Sequence, residues 1–212
     1  SALPAQMAAN PMPTYAMTPH MPLNLIWLAA FLRDDKRGHA AAIVVGFVAA
    51  GLHQIVFHPL FVVPFLLWRL REGRWQLVLS YGAAYAAILL WWMSYPTMLA
   101  HATGVGIQHG GSQESFLFDR VIPLLVHRDP TTIQLMTMNL LRFLSWQHLA
   151  LLPLMVAVVP LALDLRKVVA PLFWGIVGTI LFVGFILPYQ GHGWGYRYLH
   201  PYLGSFALLG AF

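Results

Sequence analysis

The stretch Gly191 to Ser205, "GHGWGYRYLHPYLGS", gathers two His, one Arg, one Trp and three Tyr between apolar runs. Arg197 lies at its centre. A guanidinium stays charged, and its planar fork matches phosphate or carboxylate. Tyr196 and Tyr198 flank it with hydroxyls able to donate to the same anion, and His192 and His200 add imidazoles. Gly191, Gly193 and Gly195 allow backbone to approach a ligand closely. These residues read as an anion-binding, substrate-contacting set. The G-x-G-x-G spacing is not a dinucleotide fingerprint, because no strand precedes it and it joins two apolar segments.

A second stretch, Gly51 to Phe61, reads "GLHQIVFHPLF". His53 and His58 are five residues apart and do not share a helix face, so a two-His metal site on one helix is not expected. Both are taken as further candidates for the substrate site; capping of broken helix ends is the alternative. His39 and His53 have a spacing suited to stacked haems, but no second helix offers a matching pair. All seven acids (Asp34, Asp35, Glu72, Glu114, Asp119, Asp129, Asp164) fall outside the apolar runs. A proton-coupled transporter would ordinarily hold an acid within a span. With no cysteine, disulfides, thiolate metal sites and Cys nucleophiles are excluded. No cofactor is called for, and a divalent metal is left open.

The elements that position these groups are hydrocarbon. Of 212 residues, 59% are hydrophobic and only 9% charged, against roughly 25% in soluble domains. The expected class is all-α: a polytopic transmembrane bundle of about six to seven segments, treated as one domain over residues 1–212. The segments are Tyr15 to Leu32, His39 to Phe57, the short Pro59 to Trp68 (a tilted crossing or half of a re-entrant hairpin), Trp75 to Tyr95, Leu149 to Leu163, Val168 to Leu187, and a last run from Leu199. Residues 96–147 form an outer loop with interfacial helices around Ser115 to Leu125 and Thr132 to Trp146. The last run stops at Phe212 after 14 residues, so the chain is read as a piece of a larger membrane protein.

Charge orients the bundle. Arg33, Lys36, Arg37, Arg69, Arg71, Arg74, Arg166 and Lys167 fall in three short loops that alternating crossings put on one side, the inside by the positive-inside rule. Lys and Arg are thereby explained without nucleic acid. The same alternation puts every histidine except His39 at or beyond the outer boundary, which suggests a polar cavity facing outward.

The segments "MPLNLIWLAAFLR", "GLHQIVFHPLFVVPFLLWRL" and "GWGYRYLHPYL" together resemble bacterial polytopic glycosyltransferases of the GT-C superfamily, in particular the dolichyl-phosphate-mannose-protein-mannosyltransferase-like group. The resemblance covers the chain from about Tyr15 onward. It implies residence in the bacterial inner membrane, with the bilayer and a polyprenyl-phosphate-linked sugar donor as partners. It also implies inverting transfer of the sugar to an acceptor hydroxyl on the outer face. The family's catalytic base is an acidic residue of the first outer loop, expected upstream of this chain, so no base is assigned here. Arg197 is the residue to which a lipid-phosphate contact carries over. A transporter or flippase for an anionic lipid or solute, and a non-catalytic membrane subunit, are the alternatives.

Overall fold

The computed structural model describes residues 19–52, 55–104, 122, 130–147, 150–182, 184 and 197–211. Among these the chain is all-α, with no strand. The helices are α1 (His20–Leu32), α2 (Lys36–Gly51), α3 (Phe57–Arg71), α4 (Trp75–Thr103), α5 (Pro130–Gln147), α6 (Leu151–Ala162), α7 (Val169–Leu181), a 3-10 turn (Arg197–Tyr202) and α8 (Leu203–Leu209). The expected segment at Ser115 to Leu125 lies outside the described residues apart from Ile122.

Local chemistry sets the boundaries. Asp35 is extended (φ −118°, ψ 165°), and its carboxylate accepts from the Gly38 N–H, capping α2. Asp34, just before it, sits at φ 56°, a left-handed conformation that a short polar side chain tolerates. Gly104 ends α4 at φ 66°, the usual left-handed terminator. Two boundaries differ from the sequence expectation. The second run ends at Gly51, and α3 already begins at Phe57, because Pro59 fits the first turn of a helix, where its missing N–H leaves no bond unmade. Likewise α4 continues through Pro96 to Thr103 instead of stopping at Tyr95.

Lengths matter for a bilayer. Among the described residues only α4, at 29 residues, is long and apolar enough to cross a membrane. The other helices of the bundle run from 7 to 18 residues, and a perpendicular crossing takes about 20. Along α4 only Tyr81, Tyr85 and Ile88 are buried, an i, i+4, i+7 stripe that faces the bundle. Large side chains of hydrocarbon are exposed across the bundle: Val44, Leu90 and Val156 are each more than 60% exposed.

The core centres on Trp27 of α1, which is fully buried. Its ring stacks on Phe31 (4.7 Å between centroids) and meets Phe61, Phe65 and Tyr81 at 5.7–6.2 Å. Offset and edge-on aromatic pairs of this kind contribute about 0.5–1.5 kcal/mol each beyond their buried area. The core thus joins α1, α3 and α4, while α7 packs on α3 and α6, and the 3-10 turn packs on α1.

The three basic loops meet at one end of the bundle. Asp34, between α1 and α2, pairs with Arg74 and, at 3.7 Å, with Arg69 of the α3–α4 corner. The Trp68 indole N–H donates to the Arg166 carbonyl (3.3 Å), which brings in the α6–α7 loop. The opposite end holds the start of α3, where Phe57 stacks on Tyr198 at 4.5 Å. The described half of the Gly191 to Ser205 stretch is therefore at the end away from the basic loops.

Candidate functional site

The 3-10 turn belongs to the bundle through a chain of directed hydrogen bonds. Pro201 offers only a carbonyl, so the partner 3.2 Å away must be the Asn24 amide N–H, which fixes the orientation of that amide. Asn24 Oδ1 is then an acceptor, and His58 Nδ1, 2.9 Å from it, carries the proton. His58 Nε2 is left as an acceptor and takes the Tyr85 hydroxyl proton at 2.8 Å. Four elements (α4, α3, α1 and the 3-10 turn) are joined in a row. Asn24 and His58 are buried, at 2% and 0% exposure. A buried amide or imidazole left without partners would cost about 1–3 kcal/mol, so this closure is what makes the polar row compatible with the core.

Gly46 of α2 permits the row. A Cβ there would run into the Tyr85 hydroxyl and come within 3.3 Å of His58 Nε2. Above it, the hydroxyl of Thr179 donates to that of Tyr202 at 2.6 Å, a second buried link between α7 and the C-terminal stretch.

The sequence candidates divide accordingly. His58 is in the interior, with both ring nitrogens committed to Asn24 and Tyr85, so as placed it joins helices and does not face a ligand. Tyr198 is buried against Phe57. His200 is buried at 2% exposure, 5.4 Å from the Phe143 ring of α5 and edge-on to it. Neither of its ring nitrogens has a hydrogen-bond partner among the described residues. Arg197 supplies the first backbone position of the 3-10 turn. Its side chain, and His53, His192 and Tyr196 entirely, lie outside the described residues. The structure thus ties His58 to the turn through Asn24, while His200 faces α5. Of the described histidines expected at the outer boundary, His20, His58 and His200 are buried and His101 is exposed.

Asn24, Tyr85 and Gly46 were not singled out from sequence. Asn24 carried a signal, being the one amide within the first apolar run, and a lone amide in hydrocarbon requires a partner. Tyr85 follows Tyr81 by one helical turn, which marked a face but not a bond. Gly46 carried no signal beyond its size.

At the basic end the electrostatics are those of a tied corner. The hydrogen bond from Arg74 holds the Asp34 carboxyl below the usual carboxylate range, with Arg69 and His39 acting in the same direction and burial opposing. The Gly38 N–H, and then Arg33, do the same for Asp35. His39 bridges Tyr81 Oη (3.0 Å) and Asp34 Oδ1 (3.2 Å), so a haem-ligating use of it would have to break this corner. Among the described residues no three His, Asp or Glu side chains are grouped to hold a metal ion.

The chain matches no protein-family model, no curated protein and no solved structure.

Proposed function

We propose that this chain is the membrane-embedded part of a glycosyltransferase that takes its sugar from a polyprenyl-phosphate donor at the outer face. The observation that carries this reading is the anchoring of the helix that begins at Arg197. Asn24 on Pro201, and Phe57 on Tyr198, hold its backbone against the end of the bundle remote from the basic loops. A bundle with hydrocarbon outside and its arginines mostly at one end suits a bilayer, where large exposed apolar faces need no further cover. Six to seven segments then reside in the membrane, with the short ones packed against α4.

In the transfer, the bond between the anomeric carbon and the phosphate oxygen breaks as the acceptor oxygen attacks. The acceptor proton passes to a general base, which is not assigned to a residue, and polyprenyl phosphate leaves. Negative charge grows on the leaving phosphate. A guanidinium carried on fixed backbone stabilises that charge without reorganising, which is where electrostatic catalysis is strongest. Tyr196, next to it in sequence, and His192, five residues before it, are its proposed companions, whereas Tyr198, His200 and His58 serve to hold the turn.

The test is retention of a radiolabelled polyprenyl-phosphate sugar by the detergent-solubilised chain. Arg197→Lys keeps the charge but loses the bidentate fork, and retention should fall about tenfold, as for loss of one charge-assisted contact. Unchanged retention would remove Arg197 from the site. Sugar carried across sealed vesicles with its phosphate bond intact would favour the transporter instead.

A further inference from the structure

One concavity is lined by no described residue of the C-terminal stretch, though Thr179 on its wall donates to Tyr202. A groove of about 710 Å³ runs between α3 and α7. Leu60, Val63 and Leu67 line it from α3, Trp174 and Gly178 from α7, and Arg71 closes its lower end. Apart from that arginine its walls are almost wholly hydrocarbon.

We infer that this groove holds one acyl chain of an anionic glycerophospholipid from the leaflet at the basic end, with the headgroup phosphate on Arg71. Length is the first argument. From Leu60 to Arg71 is eleven residue steps, about 17 Å at helical rise, and half of a ~30 Å hydrocarbon core is ~15 Å. The groove is one leaflet deep. Charge is the second. The basic end carries four acids, and each already has a cation: Asp34 with Arg74, Asp35 with Arg33, Glu72 with Arg69, Asp164 with Lys167. Arg71 has no carboxylate within ion-pairing distance among the described residues. Lys36, Arg37 and Arg166 are likewise without an ion pair among the described residues, but of these four only Arg71 lines the groove, at the depth where anionic headgroups lie. The third is Trp68, which also lines the groove at this end and turns its N–H to the Arg166 carbonyl, as an indole at a membrane interface does.

The inference rests on the membrane reading above, and the experiment separates the two. The full chain is reconstituted in mixed phosphatidylglycerol and phosphatidylcholine vesicles, extracted in mild detergent, and weighed with its retained lipid by native mass spectrometry. Wild type should keep phosphatidylglycerol over phosphatidylcholine by about tenfold, the fold-change of one charge-assisted contact. Arg71→Gln should bring the preference close to unity. Gly178→Leu should lower retention of both lipids, since a Cβ there meets nothing within 4 Å and the new side chain can fill the groove without a clash. Gly82→Leu, at an equally open position on α4, should retain lipid as wild type does. Equal retention of the two lipids by wild type, or wild-type retention by Gly178→Leu, overturns the lipid site. So does cross-linking that finds another protein segment in the groove. Release of the chain from vesicles by alkaline carbonate would sink the membrane reading itself; a chain that stays in the bilayer without lipid preference sinks only the groove's occupant.

Discussion

The Tyr85 hydroxyl donates to His58 Nε2 across 2.8 Å, between a residue of α4 and one near the start of α3, 27 positions apart in the chain. Because Asn24 occupies the other ring nitrogen, this imidazole has no coordination left to offer. Tyr85→Phe removes the donor and leaves a buried acceptor bare. It should lower stability by about 1–3 kcal/mol, read as a fall in the thermal midpoint of the detergent-solubilised chain followed by tryptophan fluorescence. A midpoint equal to wild type would mean that the row is not formed in solution.

Gly46 and Gly82 should respond in opposite directions to alanine. At Gly46 the added methyl meets the Tyr85 hydroxyl, and overpacking of this kind costs about 1–3 kcal/mol. At Gly82, mid-helix with nothing within 4 Å, alanine should stabilise by roughly 0.5–1 kcal/mol through helix propensity alone. The same melt measures both. Gly46→Ala melting at or above wild type would show that α2 does not pack on the His58–Tyr85 pair.

These residues also mark how far the sequence could be read. Helical class and the start of α4 at Trp75 followed from apolar runs and the charges bounding them. Pro96 misled, since a proline inside a long helix loses one hydrogen bond and need not end it. His58 was visible as a residue but not in its role, because its partners are 34 and 27 positions away and no local spacing encodes them. The gathering of the three basic loops at one end was legible from alternation of crossings, whereas the ion pairs joining them, Asp34 to Arg74 above all, depend on how those loops fold.

Asp34 gives the corner a pH signature. Its folded pKa is depressed, chiefly by the Arg74 hydrogen bond. The stabilisation it contributes is therefore complete above the unfolded value, about 3.9, and is lost as pH falls through the lower folded value. Asn tolerates the left-handed backbone at this position, so Asp34→Asn removes the charge without straining the turn. The variant should melt below wild type at pH 7. The gap should narrow as pH drops below about 4, and also in high salt, because the pair is partly exposed. A gap that stays constant with pH would assign the loss to something other than the carboxylate.

The two ends of the bundle can be addressed chemically, because the chain has no native cysteine. Lys36 opens α2 at the basic end, and His101 lies in the last turn of α4; both are exposed. From Trp75 to His101 is 26 residue steps, about 39 Å of helix, more than the ~30 Å hydrocarbon thickness. A helix that begins beside Asp34 and runs this far must emerge on the other side if the bundle spans the bilayer. In sealed vesicles, a membrane-impermeant maleimide should label only one of Lys36→Cys and His101→Cys, and detergent should expose the other. The labelled side also fixes orientation: Lys36 protected in right-side-out vesicles puts the arginine-rich corner inside, and the turn that begins at Arg197 outside, where a lipid-linked donor would reach it. Labelling of both before detergent would sink the spanning arrangement and, with it, the outward placement of Arg197.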